Sequence, residues 1–378
     1  MINILGSQKV IQVAVASIIL YALSATVSYM VFNNLLTSPL TITTPFGNLV
    51  DITSGSDEGT RDRPCPVNGI LHTKNREEQW ESRRPLAVMV ENHIDGRPSI
   101  GLSRADAVYE AVAEGGITRF LAIYLCQDAG DIAPVRSART YFLDWVSEYD
   151  AAYVHVGGAN TPGPANALGQ IRDYGIKDMD QFGMGFPTYW RGTDKLAPHN
   201  VHSTTKKLWE AALERGFGAK DDQGIRWDEN FSQWKFKDDA PLEVRGDQKP
   251  VAVPFWNQAP DYTVTWQYDK NANLYRRNHQ DTAQMDPITN EHLSAANVII
   301  QFQVESQAND GYPDGHLLYD TTGSGDALIL QDGKVIQGKW QKKDRTARTK
   351  FTSQGKEIEL NRGQIWIQTI PVGNEVAY

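Results

Sequence analysis

The most strongly patterned part of the chain is an uninterrupted apolar run near its amino terminus. Residues 10–36 contain no charged side chain, and the run exceeds the roughly 20 residues that a membrane-spanning helix needs. Lys9 is the only charged side chain before the run, and Asp51 is the first one after it. Because cationic flanks favour the cytoplasmic side, the sequence predicts a single transmembrane helix within residues 1–36, with the bulk of the chain on the outer side of the membrane.

Two other kinds of leader were considered. Ala22-Leu23-Ser24 has the small-x-small pattern of a signal-peptide cleavage site, but the apolar run continues beyond Ser24. A lipid anchor would need a cysteine soon after the run, and Cys65 lies much too far downstream. With either leader, the remainder of the chain is exported.

Residues 37–84 form a predicted flexible linker. They include Pro39, Pro45, Pro64 and Pro66 together with a polar stretch at 54–60. Such a segment has too little apolar density to bury a core, so it would act as a tether that holds the folded region away from the membrane.

Strand-like and helix-like patterns alternate after residue 85. Strands are predicted at 86–90, 119–126 and 152–156, while Tyr141, Trp145 and Tyr149 recur at helical spacing. This alternation predicts an α/β (α+β) domain over residues 85–240.

The remaining chain has mainly β-like patterns, at 263–268, 297–302, 327–330 and 364–368. Between the last two, Asp332-Gly333 predicts a hairpin turn, because both residue types accept positive φ. The sequence therefore predicts a smaller, mainly β domain over residues 245–378.

Composition and charge narrow the classes of function. With 378 residues, 40% of them hydrophobic, the chain can build real cores. Its net charge of −9 argues against nucleic acid as a partner, since that needs a basic face. We expect no cofactor, and the Gly115-Gly116 pair lacks phosphate-loop spacing. Because no G-x-S-x-G motif is present, a hydrolase nucleophile elbow is unsupported.

The 2 cysteines, Cys65 and Cys126, could form one disulfide in an oxidising compartment. The alternative is a buried free Cys126 and an incidental Cys65. Because no C-x-x-C is present, a structural zinc site made of cysteines is excluded.

A cationic motif, Arg136-Ser137-Ala138-Arg139, follows a predicted strand and opens a predicted helix. At the start of a helix, Arg136 and Arg139 would lie side by side and could clamp a carboxylate or phosphate together with free backbone N–H groups. Ser137 would be a candidate nucleophile without an identified base. The alternative is that the arginines pair with Glu110, Glu114 or Asp144 to stabilise the fold.

The next candidates for acid–base chemistry or ligand binding are two carboxylates, an arginine and an amide. Glu114 and Arg119 flank Gly115-Gly116, where Glu114 could act as an acid or base, or could simply form an ion pair at a turn. Glu91 and Asn92 end the first predicted strand, which is where open α/β sheets place ligands. A strand cap is the alternative there.

Histidines complete the candidate set. His155 lies within an apolar strand, and His199 and Asn200 follow Pro198. His199-x-x-His202 has no nearby acid that would complete a ligand set, so we expect no metal site.

Several of these strings together resemble the YerB-like lipoprotein family, a bacterial envelope family classed as a domain of unknown function. They lie at 86–92, 109–119, 134–139 and 198–200, and the likeness extends through 323–325 and 363–368. The resemblance implies an amino-terminal α/β part, a smaller carboxy-terminal part and an envelope location, without an established reaction. Many members begin with a lipid-modified cysteine, whereas this chain has the predicted helix.

The leading hypothesis is a membrane-anchored extracytoplasmic protein that binds an anionic or cell-wall-derived ligand through an arginine-rich cleft. One alternative is a hydrolase or transferase acting on envelope glycan or peptide, with Glu114 or Glu91 working with His199. The other alternative is a scaffold for an envelope protein that presents exposed aromatic side chains.

Overall fold

The computed structural model describes Ser24 and residues 59–313 and 315–378. The predicted transmembrane helix lies outside the described residues except for Ser24, and so does the first part of the predicted linker. No helix among the described residues is long and apolar enough to cross a membrane. Residues 59–378 belong to one unit.

The described residues are mostly β-structure with a few short helices. The helices are α1 (Lys74–Glu81), α2 (Phe142–Ser147), α3 (Ala167–Asp173), α4 (Gln181–Met184) and α5 (Thr205–Glu214). Short 3₁₀ turns lie at Ile94–Gly96, Leu102–Arg104, Leu242–Val244 and Pro260–Tyr262.

The strands follow one another closely along the chain. In the first part they are β1 (Arg63–Pro64), β2 (Leu71–His72), β3 (Leu86–Glu91), β4 (Ala107–Glu114), β5 (Ile117–Tyr124), β6 (Ala152–His155), β7 (Lys177–Asp180), β8 (Trp190–Arg191), β9 (Val201–His202) and β10 (Lys235–Lys237). The middle part contains β11 (Val251–Val253), β12 (Val264–Asp269), β13 (Leu274–His279), β14 (Thr282–Ala283), β15 (Met285–Asp286), β16 (Glu291–His292), β17 (Ser294–Ala295) and β18 (Asn297–Gln303). The last strands are β19 (Glu305–Gln307), β20 (Leu317–Tyr319), β21 (Gly323–Gln331), β22 (Lys334–Lys342), β23 (Lys350–Ser353), β24 (Lys356–Glu357), β25 (Glu359–Asn361) and β26 (Ile365–Pro371).

One mixed sheet of 11 strands runs through both predicted domains, in the order β24-β23-β22-β21-β18-β26-β4-β5-β3-β6-β7. Strand β26 pairs in parallel with β18 on one side and with β4 on the other. The domains predicted at 85–240 and 245–378 therefore share a sheet, and a carboxy-terminal strand forms the seam between them.

Side-chain patterns explain where the strands lie in this sheet. All 6 residues of β3 are buried, as expected of an interior strand that is covered on both faces. In β22, exposed and buried positions alternate along much of the strand, which indicates one solvated face. The predicted hairpin is confirmed: Gln331 pairs with Lys334, and Asp332 and Gly333 have φ of 51° and 67°.

A smaller sheet packs against the main one. It has the order β11-β12-β13-β14, with β17 also paired to β13. The buried rings of Trp266 on β12 and Trp366 on β26 meet edge to face with centroids 5.4 Å apart. Aromatic pairs in this geometry add stability beyond the area that they bury, so they help to hold the two sheets together.

The predicted linker differs from the structure at its carboxyl end, because residues 59–84 are structured. Strand β1 pairs with β2, and the Thr73 side chain accepts a hydrogen bond from Arg76 N at the start of α1. Cys65, Val67 and Trp80 are buried in the core. The many prolines and charged residues of this segment indicated a linker, and the few apolar side chains that attach it to the core were too sparse to predict order.

A disulfide joins this segment to the main sheet. Cys65 bonds to Cys126, just beyond β5, with Cα atoms 6.0 Å apart. Beside it, Asp106 accepts hydrogen bonds from Leu125 N at 2.7 Å, Cys126 N at 2.9 Å and Asn68 Nδ2 at 2.8 Å. Burial raises the pKa of Asp106 to about 6, although the two backbone N–H groups oppose the rise.

A buried carboxylate on β4 connects the two sheets. Glu110 accepts hydrogen bonds from Arg277 Nη2 at 2.7 Å and from Thr118 Oγ1 at 2.9 Å. On the other oxygen it accepts from Trp366 Nε1 at 3.1 Å and from Gln368 Nε2 at 2.9 Å. These donors come from β13, β5 and β26, so one side chain ties together strands from both predicted domains.

A second buried carboxylate, Glu148, lies just beyond α2. Lys342 Nζ lies 2.9 Å from one of its oxygens, and Arg348 Nη1 lies 3.2 Å from the other. Burial opposes ionisation of Glu148, but the two cations outweigh it and lower the pKa of Glu148. The Arg348 guanidinium also stacks 3.5 Å from the centroid of the Trp234 ring.

Removing the disulfide tests how firmly residues 59–84 are attached. The Cys65→Ser/Cys126→Ser variant should lose about 4 kcal/mol of unfolding free energy, because the bridge closes a loop with a sequence separation of 61. Urea denaturation measures this loss. Reductant should destabilise the wild type but leave the double variant unchanged; a wild type insensitive to reductant would contradict the bridge.

Replacing Glu110 tests the connection between the sheets. Glu110→Gln should lower the unfolding free energy by about 3–5 kcal/mol, because it leaves the Arg277 guanidinium buried without its partner. Glu359→Gln, at an exposed position on β25, is the matched control and should change little. Urea denaturation measures the unfolding free energy of both variants. If Glu110→Gln is as stable as Glu359→Gln, the buried ion pair does not stabilise the contact between the sheets.

Candidate functional site

Three chain segments meet at the carboxyl end of β3. The segment around Pro134 runs antiparallel to this strand end: Glu91 N donates to Pro134 O, and Arg136 N donates to Met89 O, both at 2.9 Å. On its other side, Val135 N donates to Val201 O at the start of β9. This backbone pairing brings together Glu91, Arg136 and His199, which we call the Glu91 cluster.

Within the Glu91 cluster, one carboxylate contacts two cationic or potentially cationic groups. Glu91 Oε1 lies 2.8 Å from Arg136 Nε, an electrostatic contact without hydrogen-bond alignment, and Oε2 lies 3.0 Å from His199 Nδ1. The Glu91 side chain is 3% exposed, whereas Arg136 and His199 keep 20% and 17% exposure. The arrangement therefore anchors a buried acid and leaves its two partners accessible.

The loop that follows β3 closes over Glu91. A Cβ atom added to Gly96 would lie only 2.7 Å from Glu91 Oε2, so this position cannot carry a side chain unless the carboxylate moves. The same loop places His93 against His199, with ring centroids 4.9 Å apart and planes at 24°. One ligand atom from each of His93, Asp95 and His199 lies within 4.8 Å of the others.

Sequence reasoning noted the string Glu91-Asn92-His93 but assigned no role to His93, and it did not single out Asp95 or Lys195. Lys195 Nζ donates to Pro98 O at 2.9 Å, and burial lowers the pKa of Lys195 although Asp194 and Glu91 oppose the shift. His93 and Asp95 directly follow Glu91-Asn92, so their position just beyond a buried strand was the available signal. Nothing local in the sequence points to Lys195.

A second group, which we call the Glu114 cluster, consists of Glu114, Arg119 and Arg139. Arg139 donates to both carboxylate oxygens, from Nε at 2.8 Å and from Nη2 at 2.7 Å. Arg119 Nη2 donates to Oε1 of Glu114 at 3.1 Å. Burial opposes ionisation of Glu114, but the two guanidiniums outweigh it and lower its pKa to about 2.

The predicted helix start at Arg136 is wrong. Helix α2 begins only at Phe142, and residues 134–136 instead pair with the end of β3. Arg136 and Arg139 consequently contact different acids, Glu91 and Glu114. The ion-pair alternative had named Glu114 but not Glu91. Arg119 Nη1 also donates to the carbonyl of Ser137, which lies between the two arginines in the chain, at 2.9 Å.

The two candidate asparagines have framework contacts. Asn92 is buried; its Nδ2 donates to Thr118 Oγ1 at 2.7 Å, and its Oδ1 accepts from Arg97 Nε at 3.2 Å. Asn200 Nδ2 donates to Gly192 O at 2.9 Å, and its Oδ1 accepts from Arg191 Nη1 at 2.8 Å. Both amides therefore fix the loops that carry the Glu91 cluster.

His155 is fully buried between β6 and β7. Its Nδ1 lies 2.8 Å from Gly157 O, and its Nε2 lies 3.0 Å from Asp178 Oδ1. His202 likewise contacts Asp131 and Asp194 rather than joining His199. The structure thus brings His199 to Glu91 and Arg136, while it gives His155 a separate set of partners.

Comparisons with known proteins identify the family. Residues 72–218 match the family model described as "Protein of unknown function (DUF3048) N-terminal domain", and residues 251–367 match the corresponding C-terminal domain. The chain is 31% identical to "Putative lipoprotein YerB" of Bacillus subtilis over 81% of its own length and 86% of that protein. A crystal structure of YerB protein from Bacillus subtilis superposes with a TM-score of 0.70 at 28% identity, covering 84% of this chain and all of that one. The chain therefore belongs to the YerB-like family, and it carries both the DUF3048 N-terminal and C-terminal domains.

Proposed function

We propose that this chain is a membrane-anchored extracytoplasmic envelope protein that binds a ligand bearing a carboxylate or phosphate at the Glu91 cluster. The apolar run at 10–36 supports the anchor, since it is long enough to span a bilayer. The word lipoprotein in the name of the Bacillus subtilis relative supports the envelope location. A cell-wall fragment is a ligand of the required chemistry.

The observation that carries this proposal is that Glu91 holds Arg136 and His199 side by side at the protein surface. The contacts of 2.8 Å and 3.0 Å fix both groups before any ligand arrives, which lowers the entropic cost of binding. Arg136 Nη1 reaches Pro198 O only at 3.5 Å, so its N–H groups on that side are weakly engaged. A guanidinium with weakly engaged donors forms strong, charge-assisted bonds to an anion.

The Glu114 cluster supports the fold better than it supports binding. Its two arginines are buried and already bond to one carboxylate. A ligand would have to displace Glu114 from a bidentate contact and leave it buried without partners, which is costly. We therefore place the ligand at Arg136 alone among the three arginines of the predicted cleft.

A hydrolase or transferase acting on envelope glycan or peptide is the second candidate. It is favoured by the contact between Glu91 and His199 Nδ1, which would leave Nε2 free to act as a general base. Glu114 is a poor choice for acid or base near neutral pH, because its pKa is about 2. Turnover of a bound envelope fragment, lost in His199→Ala and Glu91→Gln, would favour this candidate over simple binding.

Ligand screening with an Arg136 variant tests the proposal. Full-length protein is heated with muropeptides, polyol phosphates and inorganic phosphate, and a ligand at about 100 times its dissociation constant should stabilise it by ~2.7 kcal/mol. Arg136→Ala should weaken binding by about 10- to 100-fold, because a hydrogen bond to a charged group contributes about 1.5–3 kcal/mol. Calorimetric titration measures the affinity.

Two further variants make this screen specific. Lys339→Gln removes an exposed cation from β22, which lies six strands from β3 in the sheet, and it should bind like the wild type. Arg136→Lys keeps the charge but loses the planar fork, so it should retain only part of the affinity. A ligand that binds equally to the wild type and to Arg136→Ala would refute the site.

Acid unfolding tests the structural role of the Glu114 cluster. Because the pKa of Glu114 falls from 4.5 to about 2 on folding, its stabilisation is complete above pH 4.5 and is lost as the pH falls toward 2. The loss should be roughly 3 kcal/mol. Glu114→Gln should lack this part of the acid dependence and be less stable at pH 7, whereas Glu243→Gln, at an exposed position, should behave like the wild type. If Glu114→Gln and Glu243→Gln lose the same unfolding free energy as the pH falls, this acid dependence does not come from Glu114.

A further inference from the structure

Two histidines and an aspartate converge where the loop after β3 meets the Glu91 cluster. One ligand atom from each of His93, Asp95 and His199 lies within 4.8 Å of the others. His93 Nδ1 is 3.5 Å from Asp95 Oδ2. Two ligands of a tetrahedral ion with bonds of about 2.1 Å lie about 3.4 Å apart, so this separation already fits a shared metal ion.

We propose that His93, Asp95 and His199 form a site for a divalent transition metal, for which Zn²⁺ fits the donor set best. Imidazole and carboxylate ligands in tetrahedral geometry are typical of zinc. Three protein ligands leave a fourth position for water or for a group of a bound ligand. Two neutral imidazoles and one carboxylate also carry a net negative charge, which favours a cation.

The contact of His199 with Glu91 is a second, independent indication. His199 Nδ1 lies 3.0 Å from Glu91 Oε2, and a carboxylate only accepts hydrogen bonds. In the neutral imidazole, Nδ1 therefore carries the proton and Nε2 carries the lone pair that a metal needs. Histidines that ligate metals usually donate their other N–H to a carboxylate or carbonyl in this way.

His93 also offers an unprotonated nitrogen. Its Nδ1 accepts a hydrogen bond from the backbone N–H of Asp95 at 3.1 Å, so this nitrogen carries a lone pair and the proton of the neutral ring is on Nε2. A metal at this nitrogen would replace that contact. The Asp95 side chain is 70% exposed, so its carboxylate is free to rotate toward the ion at little cost.

This inference revises the expectation of no metal site and goes beyond the proposed ligand. The expectation rested on the absence of an acid near His199 and His202 along the chain, whereas the acid and the second histidine come from a loop much earlier in the sequence. His93 and Asp95 take no part in binding at Arg136, so the two proposals are separable. A bound ion would nevertheless strengthen the attraction for an anionic ligand at the neighbouring arginine.

The test is a metal titration of the full-length protein without a histidine tag. After treatment with a chelator, the protein is titrated with ZnCl₂ in a calorimeter, and one equivalent should bind. Glu91→Gln should weaken binding by about 10- to 100-fold, since it removes the carboxylate that orients His199 without removing a metal ligand. His93→Ala and Asp95→Asn remove ligands and should weaken it by at least as much. Co²⁺ in place of Zn²⁺ should give the visible absorption of a tetrahedral site.

Matched controls separate loss of the site from loss of the fold. Asp247→Asn alters an aspartate that is 83% exposed elsewhere, and His292→Ala removes a histidine on β16. Both variants should bind zinc like the wild type. Because Asp95 is exposed, weaker binding in Asp95→Asn cannot be attributed to misfolding, and thermal unfolding of the metal-free variants verifies this. The site is refuted if zinc does not bind saturably, or if His93→Ala and Asp95→Asn bind it as the wild type does.

The arginine variant distinguishes failure of this inference from failure of the proposed ligand site. Arg136→Ala should lose the anionic ligand but keep most of its affinity for zinc. Loss of zinc binding in Asp95→Asn, with phosphate or muropeptide binding retained in the metal-free protein, would support both proposals independently.

Discussion

The buried carboxylate of Glu110 imposes the constraint on which the arrangement of the two sheets depends. A charge removed from water must be surrounded by donors, and here the donors are supplied by Thr118 on β5, Arg277 on β13, and Trp366 and Gln368 on β26. These groups reach one side chain only when β26 lies beside β4 and the smaller sheet covers that seam. Satisfying Glu110 therefore fixes the register of β26 and the position of β13 together.

The same constraint extends to the candidate site through the neighbouring strands. Thr118 donates to Glu110 and accepts from Asn92, and Asn92 in turn accepts from Arg97 in the loop that closes over Glu91. Arg119 pairs opposite Glu91 across β5 and β3 while it bonds to Glu114. Polar side chains thus connect the sheet interior to the loops that carry Arg136, His93 and His199, which gives these loops a rigid support.

Local pattern was sufficient to predict several strands of the main sheet and insufficient to predict the site. The apolar string at 86–90 and the Asp332-Gly333 turn specify β3 and the β21–β22 hairpin, because burial and turn geometry act over a few residues. The partners of Arg136 and Arg139 depend on which segments pair at long range. The predicted helix was extended back to Arg136, whereas residues 134–136 bond to β3. The order of residues 59–84 was missed for the same reason, since Cys65 and Trp80 gain their burial from distant strands.

The position of β26 also determines when this sheet can be completed during folding. Its neighbours β18 and β4 are separated by residues 115–296, and they cannot be joined until β26 has emerged and entered between them. Until then β4 presents an open edge, which is the kind of surface that attracts wrong strands. Pairings between distant segments also form slowly, because the chain loses entropy on closing the loop before it gains the stabilising contacts. A chain of this topology needs protection of its β4 edge for the interval between synthesis of its first half and arrival of its last strand.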